Sequence, residues 1–352
     1  MGERLYLLPK LIAQGRGDKI ARPLAGGSRT FAAIEAICRN GGTVAASATL
    51  APAAVEAWAA ARDLAASARL QLERLSAPRA PFAGLKLESP RLMGIVNVTP
   101  DSFSDGGDRY DAGRAVADGL AMREAGAAIL DVGGESTRPG AAPIDTQEEL
   151  RRVQPVVRSL AAAGCLVSID SRRARVMAEA LAAGAAIVND VTALAGDPES
   201  LSIAARAGVP VVLMHMQGDP GTMQKDPRYA DAALDVYDYL EGRVATCRSA
   251  GIPAERIAID PGIGFGKTVL HNLRILDCLA LFHGLGTAVL LGASRKSFIG
   301  RLSRGEAPKE RLPGSLAAAL AGAARGVQLI RVHDVAETRQ ALDLWQAVEA
   351  GG

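Results

Sequence analysis

From Leu92 to the C-terminus, short apolar runs alternate with longer stretches whose apolar residues recur every three or four positions. The runs are "LMGIVNV", "AAILDVG", "CLVSID", "AAIVND", "VPVVLMH", "IAID", "AVLLG" and "VQLIRVHD". Between them lie segments such as "AGRAVADGLAMREAG", "TQEELRRVQPVVRSLAAAG" and "RRARVMAEALAAG". Short runs predict strands and the amphipathic stretches predict helices. Runs that are apolar throughout predict strands covered on both faces, as in a parallel sheet. Eight such units over about 250 residues predict an α/β fold, the (β/α)8 TIM barrel. An open doubly wound sheet is the alternative.

The segment 1–84 reads differently. Short elements precede an Ala-rich stretch from about Pro52 to Leu75, which predicts a small, mainly helical N-terminal region. "SAPRAPFAG" (Ser76–Gly84) carries Pro78 and Pro81, which break a helix, and opens a linker reaching to position 90. The division is therefore an extension over 1–84 with no chemistry of its own, a linker over 76–90 and a barrel over 91–350. The apolar stripe of the Ala-rich helix predicts packing on the barrel or on another subunit.

Composition narrows the class. The chain has 352 residues, of which 49% are hydrophobic and 22% charged. That balance suits a globular chain rather than a disordered one. A formal net charge of +2 gives no reason to expect a nucleic-acid partner. Cys38, Cys165, Cys247 and Cys278 form no CxxC pair, which predicts reduced thiols and a cytoplasmic protein. No basic-apolar N-terminal signal and no apolar run of about 18 residues occur, so neither export nor membrane insertion is expected.

The strand ends carry the candidate chemistry. Asn97, Asp131, Asp170, Asn189-Asp190, His215, Asp260, Ser294-Arg295-Lys296 and Arg331 with His333 fall at or near C-terminal strand ends. That is the face on which barrel enzymes keep their sites. Asp170, Asn189 and Asp260 offer acceptors and an amide suited to a flat heterocycle with several N–H groups and a carbonyl, such as a pterin or guanine. The alternative for Asp260, in "DPGIGFGK", is that it caps a turn. Arg138 in "GGESTRPG", Lys296, Arg331 and His333 supply cations for phosphoryl oxygens. Asn97 and Asp101 are oxygen donors beside that anion site, which suits Mg²⁺ held partly by substrate and water. "GFGK" does not fit the GxxxxGK[ST] frame, and His215, His271 and His283 lack zinc spacing. His271 reads as structural.

In this setting the chain resembles the dihydropteroate synthase family. "MGIVNVTPDSFSDGG" and "ILDVGGESTRPGA" resemble its first two signatures. "SIDS", "IVNDVTAL", "LMHMQGDPGTMQ", "DPGIGFGKT", "GASRKSFIG" and "IRVHDV" follow in order. The resemblance runs from about Leu92 to the C-terminus and leaves the N-terminal extension unexplained. It implies condensation of 6-hydroxymethyl-7,8-dihydropterin diphosphate with 4-aminobenzoate, Mg²⁺ as cofactor, sulfonamides as competitors and a homodimer. By this resemblance Asp170, Asn189, Met214, Asp260 and Lys296 bind the pterin. Arg138, Arg331 and His333 hold the diphosphate, and Asn97 meets the metal. Phe103, Thr137, Pro139, Phe265 and Ser294 receive 4-aminobenzoate. Asp101, on a closing loop, joins Asp170, Asp260 and Lys296 as catalytic. Departures are Ser171 and Arg173 where Thr and Lys are common, and Val191-Thr192-Ala193 where Ile-Ser-Gly is common. The alternatives are a methyltetrahydrofolate:corrinoid methyltransferase, which has no use for a diphosphate site, and a non-catalytic pterin-binding paralogue.

Overall fold

A computed structural model describes residues 2–15, 21–99, 112–136, 143–219 and 221–351. The N-terminal region is not the mainly helical unit expected. It is a four-stranded antiparallel sheet carrying two helices. Its strands are β1 (Arg4–Gln14), β2 (Arg22–Pro23), β3 (Arg29–Asn40) and β4 (Thr43–Leu50). β3 is central, with β1 along one side and β2 and β4 sharing the other. "TVAASATL" forms strand β4 because cross-strand pairing with β3 overrides the weak helical preference of its alanines. The Ala-rich stretch splits into a 3₁₀ turn (Pro52–Ala54), α1 (Val55–Ala60) and α2 (Ala65–Ser76). Asp63 breaks it at φ +58°. That left-handed conformation is one that Asp tolerates better than bulkier residues.

This sheet is bonded to the barrel rather than tethered to it. Gln71 of α2 satisfies the outer edge of β1, accepting from the Leu7 N–H and donating to the Leu5 carbonyl. Pairing that edge removes a template for aggregation. Arg79 follows, its guanidinium donating to the carbonyls of Arg74, Ala77, His283 and Thr287. Burial pushes it down to about 10. Phe82 and Leu85 then exchange both backbone hydrogen bonds across Ala83 (φ +50°) and Gly84 (φ +80°). Two successive left-handed residues are the signature of a mirror-image two-residue turn. That hairpin places Phe82, fully buried, among the side chains filling the barrel base.

The barrel is closed and parallel, as expected. Its first half runs β5 (Arg91–Asn97), α3 (Ala112–Glu124), β6 (Ala127–Gly133), α4 (Thr146–Ala162), β7 (Val167–Asp170), α5 (Ala174–Ala182), β8 (Ile187–Asp190) and α6 (Ser200–Ala207). The second runs β9 (Val211–Met214), α7 (Ala232–Ser249), β10 (Ile257–Asp260), α8 (Val269–Asp277), β11 (Ala288–Leu291), α9 (Ser297–Leu302), α10 (Leu312–Ala324), β12 (Leu329–Val332) and α11 (Val335–Ala350). β12 pairs β5 to close the ring. Strand side chains alternate. Leu130, Val132, Val188, Leu213, Ile259 and Ile330 point out into the helices. Met93, Ile129, Ile187, Val212, Ala258 and Leu329 point in and fill the base. One inward step further along the strands, the column changes character.

Candidate active site

That next inward tier holds Asp131 on β6, Asp170 on β7, Asn189 on β8, Met214 on β9, Asp260 on β10 and Arg331 on β12. Arg331 joins two of the carboxylates. Its Nε donates to Asp131 Oδ2 at 2.6 Å and a terminal nitrogen donates to Asp170 Oδ2 at 2.7 Å. Asn189 Nδ2 donates to the same Asp131 oxygen at 2.9 Å. Burial raises the Asp170 carboxyl to about 7 against the opposing pull of Arg331, with Asp131 nearby adding to the rise. Asp260 caps the turn of its motif from a place in the same tier. Oδ1 accepts the Gly262 N–H at 2.7 Å and caps the turn, while burial raises the carboxyl.

Lys296 reaches this cluster because Arg295 does not. Arg295 stands at φ +58° and its guanidinium pairs with Asp334. Its N–H donates to Ser315 Oγ and its carbonyl accepts from Arg311. With Arg295 turned aside, Lys296 Nζ lies 3.9 Å from the centroid of the Phe265 ring. Burial, then the charge of Arg331, pulls the ammonium down to about 8. Phe265 packs with Val191, Met214 and Met223 as an apolar wall beside the charged groups. Ser294 accepts the His333 backbone N–H and shares a hydrogen bond with Nδ1 at 3.0 Å, so it orients that ring. Asn97 is half-buried at the last inward position of β5.

Several polar strand-end residues build turns instead of lining the cluster. Asp190 accepts from the N–H groups of Thr192 and Leu194 and from the Thr192 hydroxyl. These bonds fold a turn in which Ala193 and Leu194 take φ +55° and +59°, and Arg243 holds both of their carbonyls. Ala193 carries a side chain in a left-handed conformation, and this bracing offsets what that conformation costs. His215 is buried against Lys267, whose Nζ donates to its Nδ1 (2.9 Å) and carbonyl (3.3 Å) and to the Phe265 carbonyl (2.9 Å). Burial, then the charge of Lys267, holds His215 neutral, at about 2. His271 is structural, completing a capping box with Thr268 at the start of α8, which satisfies N–H groups that the first turn leaves free.

The glycines of "DPGIGFGK" are required by close approach. A Cβ on Gly262 would lie 2.0 Å from the His215 carbonyl oxygen, and one on Gly266 2.4 Å from that of Gln217. The segment after β9 is tied to this turn by Gln224 on the Gly264 carbonyl and the Tyr229 hydroxyl on that of Gly266. Arg173, one of the departures, pairs with Glu135 and Glu149, and Ser171 Oγ accepts its N–H. Asp101, Phe103, Thr137, Arg138 and Pro139 lie outside the described residues. Two contributors carried no role in the sequence reading. Asp131 was visible as a charge inside the apolar run "AAILDVG", next inward after Ile129. Lys267 gave no signal beyond its place in "GFGK", which does not fit a P-loop frame.

Comparison with known proteins places this arrangement. The family model described as "Pterin binding enzyme" matches residues 93–333. Dihydropteroate synthase of Escherichia coli strain K12 is 48% identical over 264 residues, 75% of this chain and 93% of that protein. The Neisseria meningitidis serogroup B enzyme is 47% identical over 267 residues, 74% and 94% respectively. Xanthomonas albilineans dihydropteroate synthase with 4-aminobenzoic acid superposes with a TM-score of 0.72 at 50% identity, covering 76% of this chain and 97% of that one. The Yersinia pestis enzyme in a sulfonamide drug complex gives 0.72 at 44% identity, covering 76% and 96%. With its charged tier in a closed barrel and these relatives matched almost end to end, the chain belongs to the pterin-binding enzymes, among the dihydropteroate synthases.

Proposed function

We propose that the protein condenses 6-hydroxymethyl-7,8-dihydropterin diphosphate with 4-aminobenzoate, giving 7,8-dihydropteroate and diphosphate. One observation carries this reading: a carboxylate–amide–ammonium set, Asp170, Asn189, Asp260 and Lys296, beside the Met214 wall and next to Arg331 and His333. Asp170 and Asp260 accept the N–H groups of the pterin edge, Asn189 bonds beside them, and Lys296 donates to its carbonyl. The carbon–oxygen bond to diphosphate breaks and the carbon–nitrogen bond to the amine forms. The leaving diphosphate takes the electron pair of the broken bond. The aniline nitrogen needs no strong base to attack and loses its proton afterwards, so positioning carries much of the rate. The carboxylates also stabilise positive charge developing on the pterin methylene.

Arg331 spends two donors on Asp131 and Asp170, and its remaining N–H groups with His333 hold the departing anion; Arg138 is proposed as the third anchor. Phe265 and Ser294, with Phe103, Thr137 and Pro139, receive 4-aminobenzoate, and Asp101 belongs to the closing loop. The bound 4-aminobenzoic acid and sulfonamide of the related enzymes support that assignment and sulfonamide competition. No group of three or more His, Cys, Asp or Glu able to hold a metal occurs among the described residues. The neutral oxygen of Asn97 instead fits Mg²⁺ brought mainly by the diphosphate, whose charge the ion would neutralise. Large exposed apolar side chains on α8 (Leu270, Leu273) and α11 (Leu344, Val348) support a homodimer, which sedimentation decides. Four free thiols support a cytoplasmic setting, and no helix among the described residues is long and apolar enough to cross a membrane.

The deciding experiment mixes pterin diphosphate, 4-aminobenzoate and Mg²⁺ with the protein and follows diphosphate. Release that requires the amine and falls at least about 100-fold in both Asp170→Ala and Lys296→Ala is expected. Tight pterin binding without release leaves a binding protein and ends the enzymatic reading.

A further inference from the structure

The N-terminal sheet reaches the active-site wall through a short chain of contacts. Near the end of β3, Arg39 is 8% exposed and pairs with Asp235 in the first turn of α7; Asp238 Oδ2 stands 3.8 Å from its NH1. Among the described residues, the Arg39 Nε has no hydrogen-bond partner. The second oxygen of Asp235 accepts the N–H of Ala230 at 2.8 Å and that of Asp231 at 3.4 Å. Next to Ala230, Tyr229 sets its hydroxyl on the Gly266 carbonyl at 2.7 Å and its ring 4.9 Å from that of His271. Gly266 follows Phe265, the ring under Lys296. A second contact is independent of the ion pair. The turn between β3 and β4 packs on the same residue, a Cβ on Gly42 lying 3.6 Å from Ala230 Cβ.

We infer that Arg39 is a positioning residue: through Asp235 it fixes the Tyr229–Asp231 segment and so the Phe265 face on which 4-aminobenzoate is received. The inference rests on the synthase reading for its substrate, and Arg39 lies outside the region that the family model matches, residues 93–333. A buried guanidinium with few partners is costly to desolvate, and such groups are best attested where they hold a geometry. Asp238 has its own partners in Arg4 and Tyr6, which also join the sheet to α7. Those contacts link the sheet to α7 without Arg39. Asp235 differs because its other oxygen holds backbone of the segment leading to the site. Without Arg39 the Asp235 side chain is free to turn, and Ala230 and Asp231 lose their acceptor.

The test uses the full chain with Arg39→Ala, Arg39→Lys, Asp235→Asn and the Arg39→Ala/Asp235→Asn pair. KM for 4-aminobenzoate is expected to rise about tenfold in Arg39→Ala, the size of effect packed networks transmit, with kcat within about twofold. Arg39→Lys should recover most of the loss, because a single nitrogen makes the contact to Asp235. Asp235→Asn should resemble Arg39→Ala, and the double variant should be no worse than either. Amide hydrogen exchange should quicken in 228–231 and 264–267. Unchanged KM, additive effects, or faster exchange confined to 4–50 would reduce Arg39 to a docking contact and overturn the inference. Should the wild-type chain release no diphosphate, the synthase reading fails by itself, and the exchange pattern still decides whether Arg39 orders the segment. If Arg39→Ala does not fold, Arg39→Lys and Asp235→Asn carry the same comparison.

Discussion

The base and the mouth of the barrel are built by the same eight strands with the same alternation, and they differ by one inward step. Ile129 becomes Asp131, Ile187 becomes Asn189, Ala258 becomes Asp260 and Leu329 becomes Arg331. One such step is about 7 Å along a strand, so the charged tier stands on a mostly apolar floor, with the buried Ser168 below Asp170 as its polar member. The floor keeps the dielectric low beneath the charges. That is why burial dominates the shifts of both Asp170 and Lys296, each moved toward its uncharged form. The base is closed by Phe82, contributed by the hairpin that precedes the first barrel strand. Stability is concentrated at one end and chemistry at the other.

The strongest way to break this division is Arg331→Met. At the base a methionine would be an ordinary filler, but at the mouth it strands Asp131 and Asp170 as buried carboxylates without their cation. Removing one partner of such a pair is expected to cost about 3–5 kcal/mol of stability. Diphosphate release should fall by at least about 100-fold as well. Urea unfolding of the variant should show stability recovering as pH falls and the Asp170 carboxyl, already raised by burial, is protonated. A stability curve parallel to that of the wild type would mean the pair was not held as an ion cluster. The matching substitution at the other end is Phe82→Ala. It removes a fully buried ring. The expected cost is about 3–5 kcal/mol in unfolding free energy. KM and kcat should stay at their wild-type values, since Phe82 packs within the apolar base. A Phe82→Ala protein that loses activity while remaining folded would show that the two ends are coupled.

The same division explains what the sequence revealed. Eight apolar runs announced the barrel because a strand buried on both faces leaves no polar position to blur the pattern. Asp170, Asn189 and Asp260 were legible because each interrupts such a run at its end. The structure adds that His215, Asp190 and Arg295, equally prominent at strand ends, are consumed in turns. Nothing local distinguishes them, because the direction of a side chain depends on parity and on partners such as Lys267 and Asp334 that lie far away in sequence. The N-terminal sheet was misread for a related reason. β1 and β3 pair through residues well separated in the chain, Arg4 with Arg39 at the extreme. Alanine-rich strands also carry little propensity of their own. Asp131 was named at its strand end but given no partner, although its parity with Ile129 and Gly133 marks it as inward. A charge in mid-strand requires a partner, and that requirement points to a cation on another strand.

The finest comparison within the mouth is between its acid and its base. In the proposed binding mode Asp170 accepts pterin N–H groups as a carboxylate, and burial raises its pKa, to about 7, so the competent form is lost as pH falls through that value. In the same proposed mode Lys296 donates as an ammonium, and burial with Arg331 nearby lowers its pKa, to about 8, so the competent form is lost as pH rises through that value. Both groups feel the charge of Arg331, so the limbs report the cluster rather than isolated residues. For the free enzyme, kcat/KM for the pterin diphosphate should therefore follow a narrow bell with its maximum between the two values. Each limb should fall about tenfold per pH unit beyond it, because this ratio reports the free enzyme's essential groups. A profile flat from about pH 6 to about pH 9 would mean that neither protonation state governs binding, and that the apolar floor has less influence on the charged tier than its position implies.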